Sequence, residues 1–463
     1  MIFSSIPFLF FFFPIFLILY YLIPYKFKNT LLLIFSLIFY AWGEPVYVIL
    51  MIFSCLLNYY SALFIERYNN DKYKKKLFLI ISIIVNIGLL GFFKYGDFIL
   101  ENINTLFNLN MSLLKIGLPI GISFFTFQTM SYTIDVYRGE VKANHNFFTF
   151  TTYVSMFPQL IAGPIVRYET VEKELKQRTI NFEKYCSGLK RFLDGVFKKV
   201  LLANNIGFLW NIISSNSNNA VLTAWLGLIA FSLQIYFDFS GYSDMAIGMG
   251  KMLGFEFLEN FNYPYISKSI TDFWRRWHIS LSTWFKDYVY IPLGGSRCKK
   301  TIIIRNILIV WMLTGIWHGA AFNFIIWGLY FGVILVLEKF VLKKYIDKLP
   351  DFMKHIYSIL LIMIGWLIFA FDDMDLLFSY TKSLLGINTN LIDNNFMYYF
   401  SNYFIIIALG ILFSIPIYPY LKEKIKNSKV SHIILIFIYV LLFIITISLL
   451  VSDTYNPFLY FRF

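Results

Sequence analysis

Three observations predict an all-α polytopic membrane protein. The 463-residue chain is 58% hydrophobic and only 14% charged, where a soluble domain carries about a quarter charged residues. Long apolar runs recur from end to end: PFLFFFFPIFLILYYLI, LFLIISIIVNIGLLGFF, AWLGLIAFSLQIYF, FIIWGLYFGVILVL, IYSILLIMIGWLIFAF, YFIIIALGILFSIPIYPYL and HIILIFIYVLLFIITISLLV. Each is close to the roughly 20 residues that cross a bilayer as a helix. Positive charge collects in alternate loops. Lipid admits only spans that satisfy their own backbone, so the runs are helices, and about eleven crossings, with re-entrant and interfacial helices, thread the pattern without contradiction.

The first run is a retained helix over residues 6–24. No Lys or Arg precedes it, and its first cations, Lys26 and Lys28, follow it, the reverse of a cleaved signal peptide. Basic loops then follow at 66–76, 167–199, 286–305, 337–348 and 421–429. The loops between them, ISSNSNNA (213–220) and 372–395, are neutral or acidic. By the positive-inside pattern the basic loops are cytoplasmic, and the N-terminus and the C-terminal DTYNPFLYFRF lie outside. The net charge of +13 thus reports orientation and attraction to anionic membrane lipid, not nucleic acid. Cys55, Cys186 and Cys298 have spacings of neither a disulfide framework nor a metal site. No repeat period appears, so 1–463 reads as one integral-membrane domain.

Two segments break the simple crossing pattern. Residues 180–212 place Phe192, Val196 and Leu201 among Lys190, Arg191, Lys198 and Lys199, which suits an amphipathic helix at the cytoplasmic interface. Residues 236–300 are too polar for lipid and too aromatic for a water-exposed loop. Such backbone persists at membrane depth where it lines a cavity, so short or re-entrant helices are expected to floor a chamber.

Of five histidines, His145 falls in a loop, and His355 and His432 at cytoplasmic helix starts. His318, in WMLTGIWHGAAFNFIIWG, sits in the turn between two membrane helices. An imidazole there is costly unless it is satisfied or used, and its unperturbed pKa of about 6.5 suits proton transfer. Gly315 and Gly319 would let a substrate approach it closely. A helical reading of 272–287 puts Trp274, His278, Leu281 and Phe285 on one face, with Arg275, Arg276 and Lys286 elsewhere. An aromatic wall with a histidine beside cations is what a channel for an anionic aromatic cofactor needs. Two bland readings stand beside this: the arginines hold lipid headgroups, and His278 is a satisfied polar residue. There is no metal-binding motif and no serine nucleophile elbow.

The stretches LPIGISFFTFQTMSYTIDVYRG (118–139), FPQLIAGPIVRY (157–168), QIYFDFSGYSDMAIGMGKMLGF (234–255), NFNYPY (260–265), FWRRWHISLSTWFKDYVYIPLGGSR (273–297) and LTGIWHGAAFNFIIWG (313–328) resemble the membrane-bound O-acyltransferase family, in its bacterial polysaccharide-acetylating branch. The resemblance runs over about 5–340 and weakens in the additional C-terminal helices, 355–452. It implies a central catalytic tunnel, with His318 as the family's active-site histidine and His278 as its second active-site position. It further implies a cytoplasmic thioester donor, acetyl-coenzyme A, and an acceptor reached from outside a bacterial cytoplasmic membrane. Arg275, Arg276 and Lys286 become candidates for the donor's phosphates, with Trp274 beside them. Asp272 and Asp287 are candidates to orient a histidine or bind the donor's amide. An extracytoplasmic acetyltransferase would complete transfer to the polysaccharide. The rivals are D-alanyl transfer to teichoic acid and a non-catalytic polysaccharide transporter or export component.

Overall fold

The computed structural model describes residues 1–161, 163–216, 218–417, 429–452 and 458–459. The basic loop at 421–428, the side chain of His432 and most of the tail beyond 452 lie outside them. Every regular element among the described residues is helical. Among the described residues eight helices are long and apolar enough to cross a membrane, and Phe8–Leu22 is a shorter apolar one. The chain sorts into two compact units: Met1–Phe192 with Tyr242–Leu258, and Leu193–Gly241 with Glu259–Phe463.

In the first unit the helices Tyr47–Arg67, Lys72–Phe107 and Ile122–Arg138 pack side by side. Asp71 starts the second of them, its carboxylate accepting from the backbone N–H groups of Tyr73 and Lys74, as an N-cap should. Gly139, at φ 78°, ends the third in the left-handed conformation that costs glycine least. Their polar residues meet at one point. Asn58 Oδ1 accepts from Ser82 Oγ at 2.8 Å, Asn86 Nδ2 at 2.9 Å and Thr133 Oγ1 at 3.0 Å. Side-chain bonds of this kind glue helices where lipid supplies no hydrophobic drive.

The segment 180–212 is helical, as Phe182–Phe197, continued through a π-type stretch, Lys198–Asn204, into Asn205–Ser214, but Lys199, expected on its polar face, is buried and paired with Asp238. Phe192 and Val196 are buried on its inner side. The segment 236–300 is only partly the set of short elements expected of it. Its first third is the end of a continuous 33-residue helix, Val221–Leu253. The apolar periodicity of 221–235 carries through the polar residues, because Asp238, Ser240, Ser243 and Asp244 are all buried against protein. Short helices follow only after it, at Ile270–Trp274, Ile279–Phe285 and Lys286–Tyr290.

In the second unit Lys300–His318 and Phe322–Leu337 pack directly against each other. A Cβ on Gly315 would stand 2.2 Å from the Phe324 carbonyl oxygen, and one on Gly328 would stand 2.3 Å from that of Trp311. Backbone therefore lies on backbone, as small residues permit between membrane helices. Asp351–Ala370 packs on Phe322–Leu337. Asn394–Phe413 and Ile433–Ser452 keep most of their apolar surface exposed, as lipid-facing helices do.

Candidate functional site

The single helix expected over 272–287 is instead two, broken at His278. Ser269 caps the first by accepting from the Asp272 N–H at 3.0 Å. Its start is also held by Glu338, a buried carboxylate that accepts from Ile270 N at 2.7 Å, Thr271 N at 2.8 Å, Thr271 Oγ1 at 2.6 Å and Tyr357 Oη at 3.1 Å. A negative group at a helix N-terminus meets both the unpaired N–H groups and the positive end of the dipole. The chain then turns, and His278 takes the left-handed conformation, φ 44° and ψ 55°, directly before Ile279–Phe285. That conformation costs a residue with a side chain roughly 1–2 kcal/mol, so something must hold it.

Asn260 holds it. Its carbonyl oxygen accepts from Ile279 N at 3.0 Å. Its side-chain Oδ1 accepts from Ser280 N at 3.2 Å and Ser280 Oγ at 2.9 Å, and stands 3.1 Å from His278 Nδ1. A backbone N–H can only donate, so the Ser280 bond fixes which amide atom is oxygen. It follows that His278 Nδ1 carries the proton in this contact and Nε2 is the basic nitrogen. Burial holds the imidazole neutral by pushing its pKa down, to about 3. Phe239 packs edge-on against the ring with centroids 4.6 Å apart.

His318 is the last residue of Lys300–His318 and is buried. The rings of Trp327 and Phe369 stand edge-on to it at 4.9 and 5.3 Å. Trp317 connects the two histidines, 5.0 Å from His318 and 6.0 Å from His278 by ring centroids. The space that Gly315 and Gly319 open is not left for a substrate. It is filled by Phe324, whose ring would lie 2.1 Å from a Cβ on Gly319.

Both histidines line one cavity of about 670 Å³. Trp274, Leu281 and Phe285 line it too, so the residues assigned to one helix face do converge, by a turn rather than by helical periodicity. Arg275 and Lys286 also reach it, joined by Lys339 and Lys343, and all four side chains are exposed at its wall. Asp272 lines the cavity while also holding Arg276, whose Nε donates to its Oδ1 at 3.0 Å. Arg276 and Asp287 are not among the lining residues. The Trp274 indole N–H is buried and meets no acceptor among the described residues. The other histidines stand elsewhere: His145 Nε2 is 2.9 Å from Glu66, and His355 Nδ1 is 3.1 Å from the Ser267 carbonyl oxygen.

Asn260, Glu338, Trp311, Lys339 and Lys343 were not singled out from sequence. Asn260 stood within the NFNYPY stretch, so a signal for it existed. Glu338 carried none, being one acidic residue in a basic run.

The sequence matches the model of the membrane-bound O-acyltransferase family over residues 41–372. Probable alginate O-acetylase AlgI of Pseudomonas aeruginosa is 42% identical over 393 residues, covering 84% of this chain and 76% of that protein. Peptidoglycan O-acetyltransferase of Helicobacter pylori is 35% identical over 424 residues, covering 84% of this chain and 80% of that one. Teichoic acid D-alanyltransferase of Bacillus subtilis is 34% identical over 234 residues, covering 48% of this chain and 59% of that one. The matched segment contains the whole of the cavity wall and both of its histidines. The chain belongs to the membrane-bound O-acyltransferase family, as a multi-pass membrane protein.

Proposed function

We propose that this protein takes an acetyl group from acetyl-coenzyme A on the cytoplasmic side of a bacterial cytoplasmic membrane and delivers it for O-acetylation of an extracellular or cell-wall polysaccharide. The observation that carries the reading is the single cavity, with both histidines and an aromatic wall inside and a cluster of cations at the exposed part of its wall. The donor's phosphates suit Arg275 and Lys286, with Lys339 and Lys343 beside them. Its thioester arm suits the apolar wall of Leu281 and Phe285, where the Trp274 N–H offers a hydrogen bond to an amide carbonyl.

His318 acts as general base. It removes the proton from an acceptor hydroxyl as that oxygen attacks the thioester carbonyl, and the collapsing adduct expels the thiolate, which takes the proton back. General-base help of this kind is worth about 10²–10⁴ in rate. His278, neutral and held in one tautomer by Asn260, accepts a hydrogen bond through Nε2 and orients the reactants. An extracytoplasmic acetyltransferase receives the group and completes transfer to the polymer. Acetyl transfer is favoured over D-alanyl transfer because the acetylating relatives align over 84% of the chain and the D-alanylating one over 48%.

The test is release of free thiol from acetyl-coenzyme A by detergent-purified protein, with the partner and polysaccharide supplied. His318→Ala should lower the rate by about 10²–10⁴, far beyond what the modest loss of melting temperature from a vacated buried ring would explain. Full-rate release by that variant removes His318 as the base. No release from the unmodified protein overturns acetyl transfer and puts a transporter ahead.

A further inference from the structure

A second cavity, of about 800 Å³, lies in the first unit beside the end of the Phe8–Leu22 helix. Its wall carries two cations, Lys28 and Arg178, which are only 8% and 6% exposed. Removing two like charges from water is costly unless an anion or a full set of acceptors compensates. Lys28 Nζ donates to the Tyr20 carbonyl oxygen and lies 4.3 Å from the Tyr20 ring centroid. Arg178 Nε donates to Tyr20 Oη at 2.9 Å and to the Leu253 carbonyl at 3.1 Å. Its Nη1 donates to Asn29 Oδ1 at 2.7 Å and to the Glu174 carbonyl at 3.2 Å. The Phe255 ring centroid lies 4.5 Å from the guanidinium carbon.

Every one of those partners is neutral. Among the described residues neither cation makes an ion pair with a carboxylate, and Arg178 Nη2 reaches no acceptor at all. The Glu174 carboxylate feels the charge of Arg178 without pairing with it, so among the described residues the cavity holds two buried cations and no anion bonded to either. The surroundings say what kind of anion. Ile18 and Phe182, both lining the cavity, are 60% and 81% exposed. Phe182 opens an amphipathic helix, and Ile18 belongs to the shorter apolar helix Phe8–Leu22, so the rim is apolar and exposed. A free phosphate has no use for such a rim, whereas acyl chains do.

We propose that this cavity binds the phosphate of an anionic phospholipid, with Lys28 and Arg178 on the headgroup and Ile18 and Phe182 against its chains. The test uses the full-length protein in detergent, stripped of lipid, and follows binding by native mass spectrometry and thermal melting. Phosphatidylglycerol should bind and raise the melting temperature, and phosphatidylcholine should bind at least tenfold more weakly. Lys28→Met should weaken phosphatidylglycerol binding about fivefold. Its lipid-free melting temperature should stay within a few degrees of the parent, since Lys28 gives up one bond to a backbone carbonyl and its contacts with the Tyr20 and Tyr21 rings while a buried charge is removed. Arg178→Gln should weaken binding further, but it also cuts four internal bonds, so Lys28→Met decides. Equal affinity for the two lipids, or unchanged binding by a folded Lys28→Met protein, overturns the proposal. Glycerol 3-phosphate binding as tightly as the lipid overturns the lipid assignment and makes the site one for a soluble phosphate.

Discussion

Replacing Asn260 by alanine should disable the site without touching either histidine. The Oδ1 atom accepts from Ser280 N and Ser280 Oγ and meets His278 Nδ1 at 3.1 Å. The Ser280 hydroxyl can turn to another acceptor; the two N–H groups cannot. Each buried donor left unsatisfied costs about 1–3 kcal/mol, so the native arrangement loses about 2–6 kcal/mol. That exceeds the roughly 1–2 kcal/mol stored in the left-handed backbone of His278, which is then free to relax and carry the imidazole with it. A displacement of about 1 Å at a reacting group can cost 100-fold in rate. The expected result is therefore a fall of about 100-fold in thiol release from acetyl-coenzyme A, with a lowered melting temperature. Asn260→Asp, which keeps a carbonyl-type oxygen at the Oδ1 position, should restore part of the melting temperature and part of the rate. Asn260→Ala turning over within twofold of the parent would refute the claim that this amide positions His278.

His278 also sets a pH dependence. Its pKa is lowered by burial to about 3 in the folded protein, against about 6.5 in an unfolded chain. Between those values the unfolded state holds a proton that the folded state lacks, so stability falls as pH drops from about 6.5 toward 3 and is flat above. His278→Gln should show a shallower acid loss of melting temperature than the parent. Gly315→Ala places a Cβ 2.2 Å from the Phe324 carbonyl oxygen, an overpacking that costs about 1–3 kcal/mol or more. It should lower the melting temperature and, by parting the helix pair, cut thiol release as well. Arg275→Ala and Lys286→Ala should each raise KM for acetyl-coenzyme A about tenfold and leave kcat nearly unchanged, as loss of uniform binding does. A fall in kcat instead would place them at the reacting centre.

The long apolar helices were legible because composition and length alone decide them. So was the pairing of Lys300–His318 with Phe322–Leu337, since the WHG turn interrupts one apolar stretch. The break at His278 was not. Residues 270–285 have a helical period; the turn is held from outside by Asn260, 18 residues before His278, and the start of the first short helix by Glu338, 60 residues after it, and no local pattern records those bonds. Gly315 and Gly319 misled for a related reason. A glycine frees space on paper, and only the fold shows that Phe324 claims it. The continuous helix through 236–253 was hidden because its buried polar residues look, in one dimension, like a loop.

The glycine crossing between Lys300–His318 and Phe322–Leu337 bears on how such a chain can drift. Where two backbones touch directly, the register of the pair is set by atoms that every residue shares, and outward-facing side chains have no vote in it. Leu329, Val333 and Leu337, all exposed on the second helix, can then be exchanged to suit a thicker, thinner or more fluid membrane while His318 stays where it is. Adaptation of the lipid-facing surface and preservation of the chemistry become separable, at the cost of an absolute demand for two small residues at positions 315 and 328.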